Sequence, residues 1–74
     1  MGRLSGLSTT DVLRKLRAAG FVFDRTAKGS HEIWLHPDTR VRVTIPNHPG
    51  ALPEGTVRAI VRQSGLTVNK FIAL

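Results

Sequence analysis

The chain has 74 residues, no cysteine, and 11 lysines and arginines against 5 aspartates and glutamates, a net charge of +6 at neutral pH. That length fits one domain (residues 1–74) with a marginal core, since so small a domain buries only about 60% of its unfolded surface, and a deep enclosed substrate pocket is excluded. Absent thiols exclude disulfides, thiolate zinc sites and a cysteine nucleophile, while the charge favours a polyanion: RNA, DNA, an acidic protein or an anionic membrane surface.

Residues 1–7 read as a loosely held lead-in, because their Gly and Ser follow no periodic pattern. Ser8, Thr9 and Thr10 are candidate N-caps for a first helix, and Asp11 suits the positive end of its dipole. Val12, Leu13, Leu16 and Ala19 form its apolar stripe; Arg14, Lys15 and Arg17 project from the remaining surface, and Gly20 suits the left-handed position after the last turn.

Phe21-Val22-Phe23 reads as a short strand and Lys28-Gly29-Ser30 as a turn. A second strand from His31 to His36 is expected to face the core with Ile33 and Leu35, leaving Glu32, Trp34 and His36 outside. Pro37 to Arg40 makes a hairpin connection. The third strand, Val41 to Ile45, buries Val41, Val43 and Ile45, exposes Arg42 and Thr44, and stops at Pro46. After a loop from Asn47 to Gly50, a second helix begins between Pro53 and Thr56, buries Val57, Ile60 and Val61, and ends at Gly65. Thr67 is positioned to cap a last short helix that docks Phe71 and Leu74.

The order α-β-β-β-α with short turns predicts an α+β domain: a three-stranded antiparallel sheet with helices on one face, the layout of double-stranded-RNA-binding domains. No apolar run reaches the roughly 18 residues of a membrane span. The first residues lack the apolar segment of a signal peptide, and Gly6 stands where myristoylation requires Ser or Thr. The expectation is a cytoplasmic protein with no membrane partner and no small-molecule cofactor.

Three histidines stand out. His31 follows the Lys28-Gly29-Ser30 turn and opens a strand, where parity is expected to put it with Ile33 and Leu35 on the helix-bearing face, at the rim of the sheet. An imidazole there can take a proton from a ribose 2′-OH, or, protonated, give one to the leaving 5′-oxygen; RNA supplies its own nucleophile, so no deep pocket is needed. The competing reading is a histidine that caps its turn. His36, before Pro37, reads as plain surface; His48, between Asn47 and Pro49, reads either as a second proton donor or as a loop stabiliser. Metal ligation is poorly supported, because the histidines lack i, i+3 or i+4 spacing and Asp11, Asp24, Glu32, Asp38 and Glu54 are scattered.

Arg14, Lys15 and Arg17 on the first helix and Arg58 and Arg62 on the second form basic patches, with Arg25 and Lys28 close to His31 in sequence; cations of this kind bind phosphates without reading bases. Trp34 either stacks on a base or anchors a partner beside Arg42, or, with the register moved by one residue, belongs to the core.

Several segments together resemble the HicA toxins, also called YcfA-like proteins. They are Gly6-Leu7-Ser8, Ala19-Gly20-Phe21, Lys28-Gly29-Ser30-His31-Glu32-Ile33-Trp34, Val43-Thr44-Ile45-Pro46-Asn47-His48 and Pro53-Glu54-Gly55-Thr56-Val57-Arg58-Ala59-Ile60. Each is short, but their order and spacing span nearly the whole chain. The resemblance implies a ribosome-independent mRNA-cleaving toxin, with His31 catalytic as the histidine of Gly-Ser-His, and a HicB-type antitoxin as its inhibitor. It implies that Gly29 lets the turn pass close to the RNA backbone. Two positions depart from relatives: Glu32 stands where some have a second histidine, and Lys70 where many have an acidic residue. A non-catalytic RNA-binding module of the same fold, or a protein-interaction subunit, are the alternative functions.

Overall fold

A computed structural model of the protein describes residues 4–74. Helix α1 spans Thr9–Ala18, β1 Val22–Thr26, β2 Glu32–Leu35, β3 Arg42–Ile45, α2 Glu54–Ser64 and α3 Val68–Ala73. The strands form one antiparallel sheet in the order β1-β2-β3. The shortest extent of the molecule, 16 Å, matches one sheet plus one helical layer. The architecture is the expected α+β one.

Ser8 starts α1 because Asp11 lies three residues on: Ser8 Oγ accepts from the Asp11 amide at 3.1 Å, and the Asp11 carboxylate accepts from the Ser8 amide at 2.9 Å. The Ser8 amide, and then its hydroxyl, hold the Asp11 carboxyl below its ordinary value. The helix closes where Gly20 adopts φ 102°; a Cβ there would lie 2.8 Å from His36 Nε2, so glycine is required both by conformation and by space. Pro53 precedes α2 without a side-chain cap bond, and the helix starts at Glu54, within the expected bounds. Thr67 does cap α3, accepting from the Lys70 amide, and so directs Phe71 into the core, where it is fully buried.

The core lies between sheet and helices. Val43, Ile45 and Trp34 from the sheet meet Val12 and Leu16 of α1, Val57, Ile60 and Val61 of α2, and Phe71. The lead-in is docked from Leu4 onward, contrary to expectation: Leu4 is buried, and Leu7 accepts a hydrogen bond from the Leu52 amide at 2.7 Å. Residues 1–3 lie outside the described residues.

The faces of β2 are the reverse of those expected. The hairpin pairs the His36 amide with the Val41 carbonyl at 2.9 Å, which sets Trp34 opposite Val43 and Glu32 opposite Ile45. Residues directly opposite across an antiparallel pair share a face, so burying Val43 and Ile45 also buries Trp34. Ile33 and Leu35 therefore lie on the face the helices leave uncovered, with Thr44 and Arg42 as their cross-strand partners, and by the same alternation His31 falls on that side rather than on the helix-bearing face. Trp34 is a core residue. Its indole N–H donates to Glu32 at 2.9 Å, Phe23 meets it edge-on at 6.0 Å, and the Arg17 guanidinium lies 5.0 Å above the ring. This removes Trp34 as a base-stacking or partner-anchoring residue and gives Glu32 a structural task.

Lys15 is also corrected. It is buried, not projecting: its ammonium donates to the Ile72 and Leu74 carbonyls at 3.0 and 2.9 Å and lies 5.7 Å from the Phe71 ring centre. Its long stem crosses apolar surface to reach the end of α3.

Candidate active site

One end of the sheet gathers the segments around His31. Extending the register of β2 puts His31 between Ala27 on one side and Pro46 on the other, and the Ala27 amide donates to the His31 carbonyl at 2.8 Å. The β1–β2 turn and the β3–α2 loop thus leave the sheet on either side of this residue. The first turn of α1 closes on the same loop: Thr9 Oγ1 lies 3.2 Å from the Pro46 carbonyl and 3.4 Å from that of His48, and accepts from the His48 amide at 3.3 Å.

His31 is exposed. Its Nδ1 lies 3.3 Å from the Lys28 carbonyl, an atom that can only accept. In the neutral ring this hydrogen bond puts the proton on Nδ1 and the lone pair on Nε2. Gly29 adopts φ 71°, and a Cβ on it would meet His31 Nδ1 at an ordinary 3.9 Å; the glycine is required by the conformation of the turn rather than by crowding. Lys28 and Ser30 are exposed in that turn, and His48 is exposed in its loop, so the expected supporting residues share one end of the sheet with His31. No hydrogen bond joins the two imidazoles among the described residues.

His36 is not plain surface. Its Nδ1 accepts from the Asp38 and Thr39 amides at 3.2 and 3.4 Å, which leaves Nε2 to donate to the Ala19 carbonyl at 3.1 Å. The ring stands edge-on to Phe21 at 5.2 Å. It joins the end of α1 to the β2–β3 hairpin, at the opposite end of the sheet from His31.

The basic residues are dispersed. Arg14 and Arg62 are exposed on α1 and α2, Arg17 covers Trp34, and Lys15 is buried. Arg58 is paired with Glu54, one helical turn back, at 3.0 Å. Arg25 and Arg42 both reach the Asp24 carboxylate, at 3.3 and 3.4 Å. Sequence reasoning missed that convergence. β1 contains a bulge at Asp24, between Phe23 opposite Trp34 and Arg25 opposite Ile33, and no residue pattern in the strand announces it. Thr9 was visible only as a cap candidate, because its partners are 37 and 39 residues away. Among the described residues no three of His, Asp and Glu are grouped so as to hold a metal ion.

Compared with known families, residues 9–66 match the family described as the HicA toxin of bacterial toxin-antitoxin. The matched span contains α1, the sheet, α2, His31 and His48. No curated protein matches the chain.

Proposed function

The chain belongs to the HicA toxins of bacterial toxin–antitoxin systems, and from that premise we propose that it is an endoribonuclease that cuts mRNA with His31 as its catalytic residue. What supports this reading is the family match over residues 9–66 together with an exposed His31 that bonds back to its turn through Nδ1 only, so that Nε2 of the neutral ring is the atom available to a substrate. In the proposed reaction Nε2 takes the proton of a ribose 2′-OH. The 2′-oxygen attacks the adjacent phosphorus, and the bond from phosphorus to the 5′-oxygen breaks. The products are a cyclic 2′,3′-phosphate and a 5′-hydroxyl, the latter receiving its proton from an acid. His48, in its protonated form, and Lys28 are the nearby groups able to serve as that acid. No step calls for a metal ion, and none calls for an organic cofactor. A HicB-type antitoxin is the proposed inhibitor, and the cytoplasm, where mRNA is found, the proposed compartment.

The test uses the purified, antitoxin-free chain on a defined transcript, with and without chelator, beside His31→Ala. Cleavage that survives chelator and is lost in the folded variant is expected; general acid–base catalysis of this kind is worth roughly 10²–10⁴ in rate. Equal cutting by both proteins would remove His31 from the mechanism. Binding of RNA without cutting by either would make the chain an RNA-binding module.

A further inference from the structure

We infer that single-stranded RNA reaches His31 across the uncovered face of the sheet, held there by Arg25 and Arg42, rather than along the helices. This rests on the RNA-cleavage reading above. Three observations carry it. First, the bulge at Asp24 re-aims β1. Phe23 faces the core side with Trp34, and strict alternation would return Arg25 to that side; the extra residue instead sets Arg25 opposite Ile33 on the uncovered face.

Second, Arg42 comes to the same face from β3, opposite Leu35, and one carboxylate gathers both guanidinium groups: Asp24 lies 3.3 Å from Arg25 and 3.4 Å from Arg42. Both arginines remain largely solvent-exposed, with side-chain exposures of 65% and 49%. Asp24 offsets one charge of the pair, so the cluster stays net positive, and each guanidinium touches Asp24 through one nitrogen only, which leaves its others for a phosphate. Between them run the half-buried Ile33 and Leu35, an apolar track suited to unstacked bases.

Third, the track leads to the site. His31, Ile33 and Leu35 occupy alternate positions of one strand, at about 7 Å per step of two residues. The helical cations are not gathered in this way: Lys15 is buried, Arg17 is engaged with Trp34 on the opposite side of the sheet, and the exposed Arg14, Arg58 and Arg62 are divided between two helices with no shared carboxylate among the described residues to bring them together.

The experiment measures binding of a short single-stranded RNA to the His31→Ala chain, which leaves the RNA intact, as a function of salt. Each lost phosphate contact lowers the slope of log affinity against log salt by about 0.7 on single strands. Arg25→Gln and Arg42→Gln, each added to that background, are expected to lower the slope by that amount, and Arg14→Gln and Arg17→Gln to leave it unchanged. Folding of each variant is checked by Trp34 fluorescence. A slope lowered by the α1 substitutions and not by the sheet substitutions would overturn the inference while leaving His31 cleavage intact. So would unchanged RNA binding in the sheet variants accompanied by weakened binding of an acidic protein partner. Failure of the cleavage reading itself shows separately, as a wild-type chain that does not cut the RNA, whether or not it binds it.

Discussion

Replacing Lys15 with methionine separates a structural lysine from an RNA-binding one. Methionine keeps most of the stem that packs beside Phe71 but removes the ammonium. Lost are two charge-assisted hydrogen bonds, at 3.0 and 2.9 Å, to the carbonyls of Ile72 and Leu74, and the approach of the cation to the Phe71 ring. A hydrogen bond to a charged group contributes about 1.5–3 kcal/mol. Two terms offset that loss: the ammonium no longer has to be desolvated, and both carbonyls belong to half-buried residues that water can reach. The net destabilisation is about 1–2 kcal/mol, which in a domain this size lowers Tm by roughly 5–15 °C. Thermal melting followed by circular dichroism measures it, and amide hydrogen exchange localises it. Protection is expected to fall first in α3, whose end the ammonium holds. RNA affinity and its salt dependence are expected not to change. An unchanged Tm together with a reduced salt slope would refute the reasoning, because it would mean that Lys15 spends its charge on phosphate.

Gly20→Ala is expected to destabilise the fold by about 2–3 kcal/mol, combining the unfavourable backbone at φ 102° with displacement of the His36 ring from its hydrogen bonds; urea unfolding measures it. Asp11→Ala removes one half of the capping box, and its effect should depend on pH. The Asp11 carboxyl is depressed in the folded chain, so its stabilising contribution is present above the ordinary value of 3.8 and lost as pH falls through the depressed one. Melting curves of variant and wild type should therefore differ at neutral pH and converge in acid; a constant difference would deny the linkage. Trp34, the only tryptophan, should emit as a buried indole and resist quenching by iodide, and Trp34→Phe should weaken the fold through lost packing and the lost bond to Glu32. Ready quenching would return Trp34 to the surface.

The elements of this protein were legible in its residues because their causes are local. Ser8 with Asp11, Thr67, Gly20 and Gly65 mark helix ends within a few positions of their partners, and apolar residues at helical spacing mark which side of α1 and α2 is buried. By its place behind a Lys-Gly-Ser turn His31 reads first as a histidine that caps its turn, and only the family resemblance, from motifs in order along the chain, singles it out as the proposed catalytic residue. What the chain could not declare alone were contacts between distant residues. Ile33 and Leu35 are as apolar as an inner face requires, and only the pairing of His36 with Val41 across the hairpin decides that Trp34 is buried in their place. Lys15 has the spacing of a surface cation, and its burial depends on carbonyls 57 and 59 residues away. The bulge at Asp24 is decided by how β1 meets β2, and the tether from Thr9 to the loop of His48 by how α1 lies along the sheet. Local periodicity determines what each segment becomes; strand register and helix placement determine which side chains meet, since those depend on pairs of residues that no short window contains.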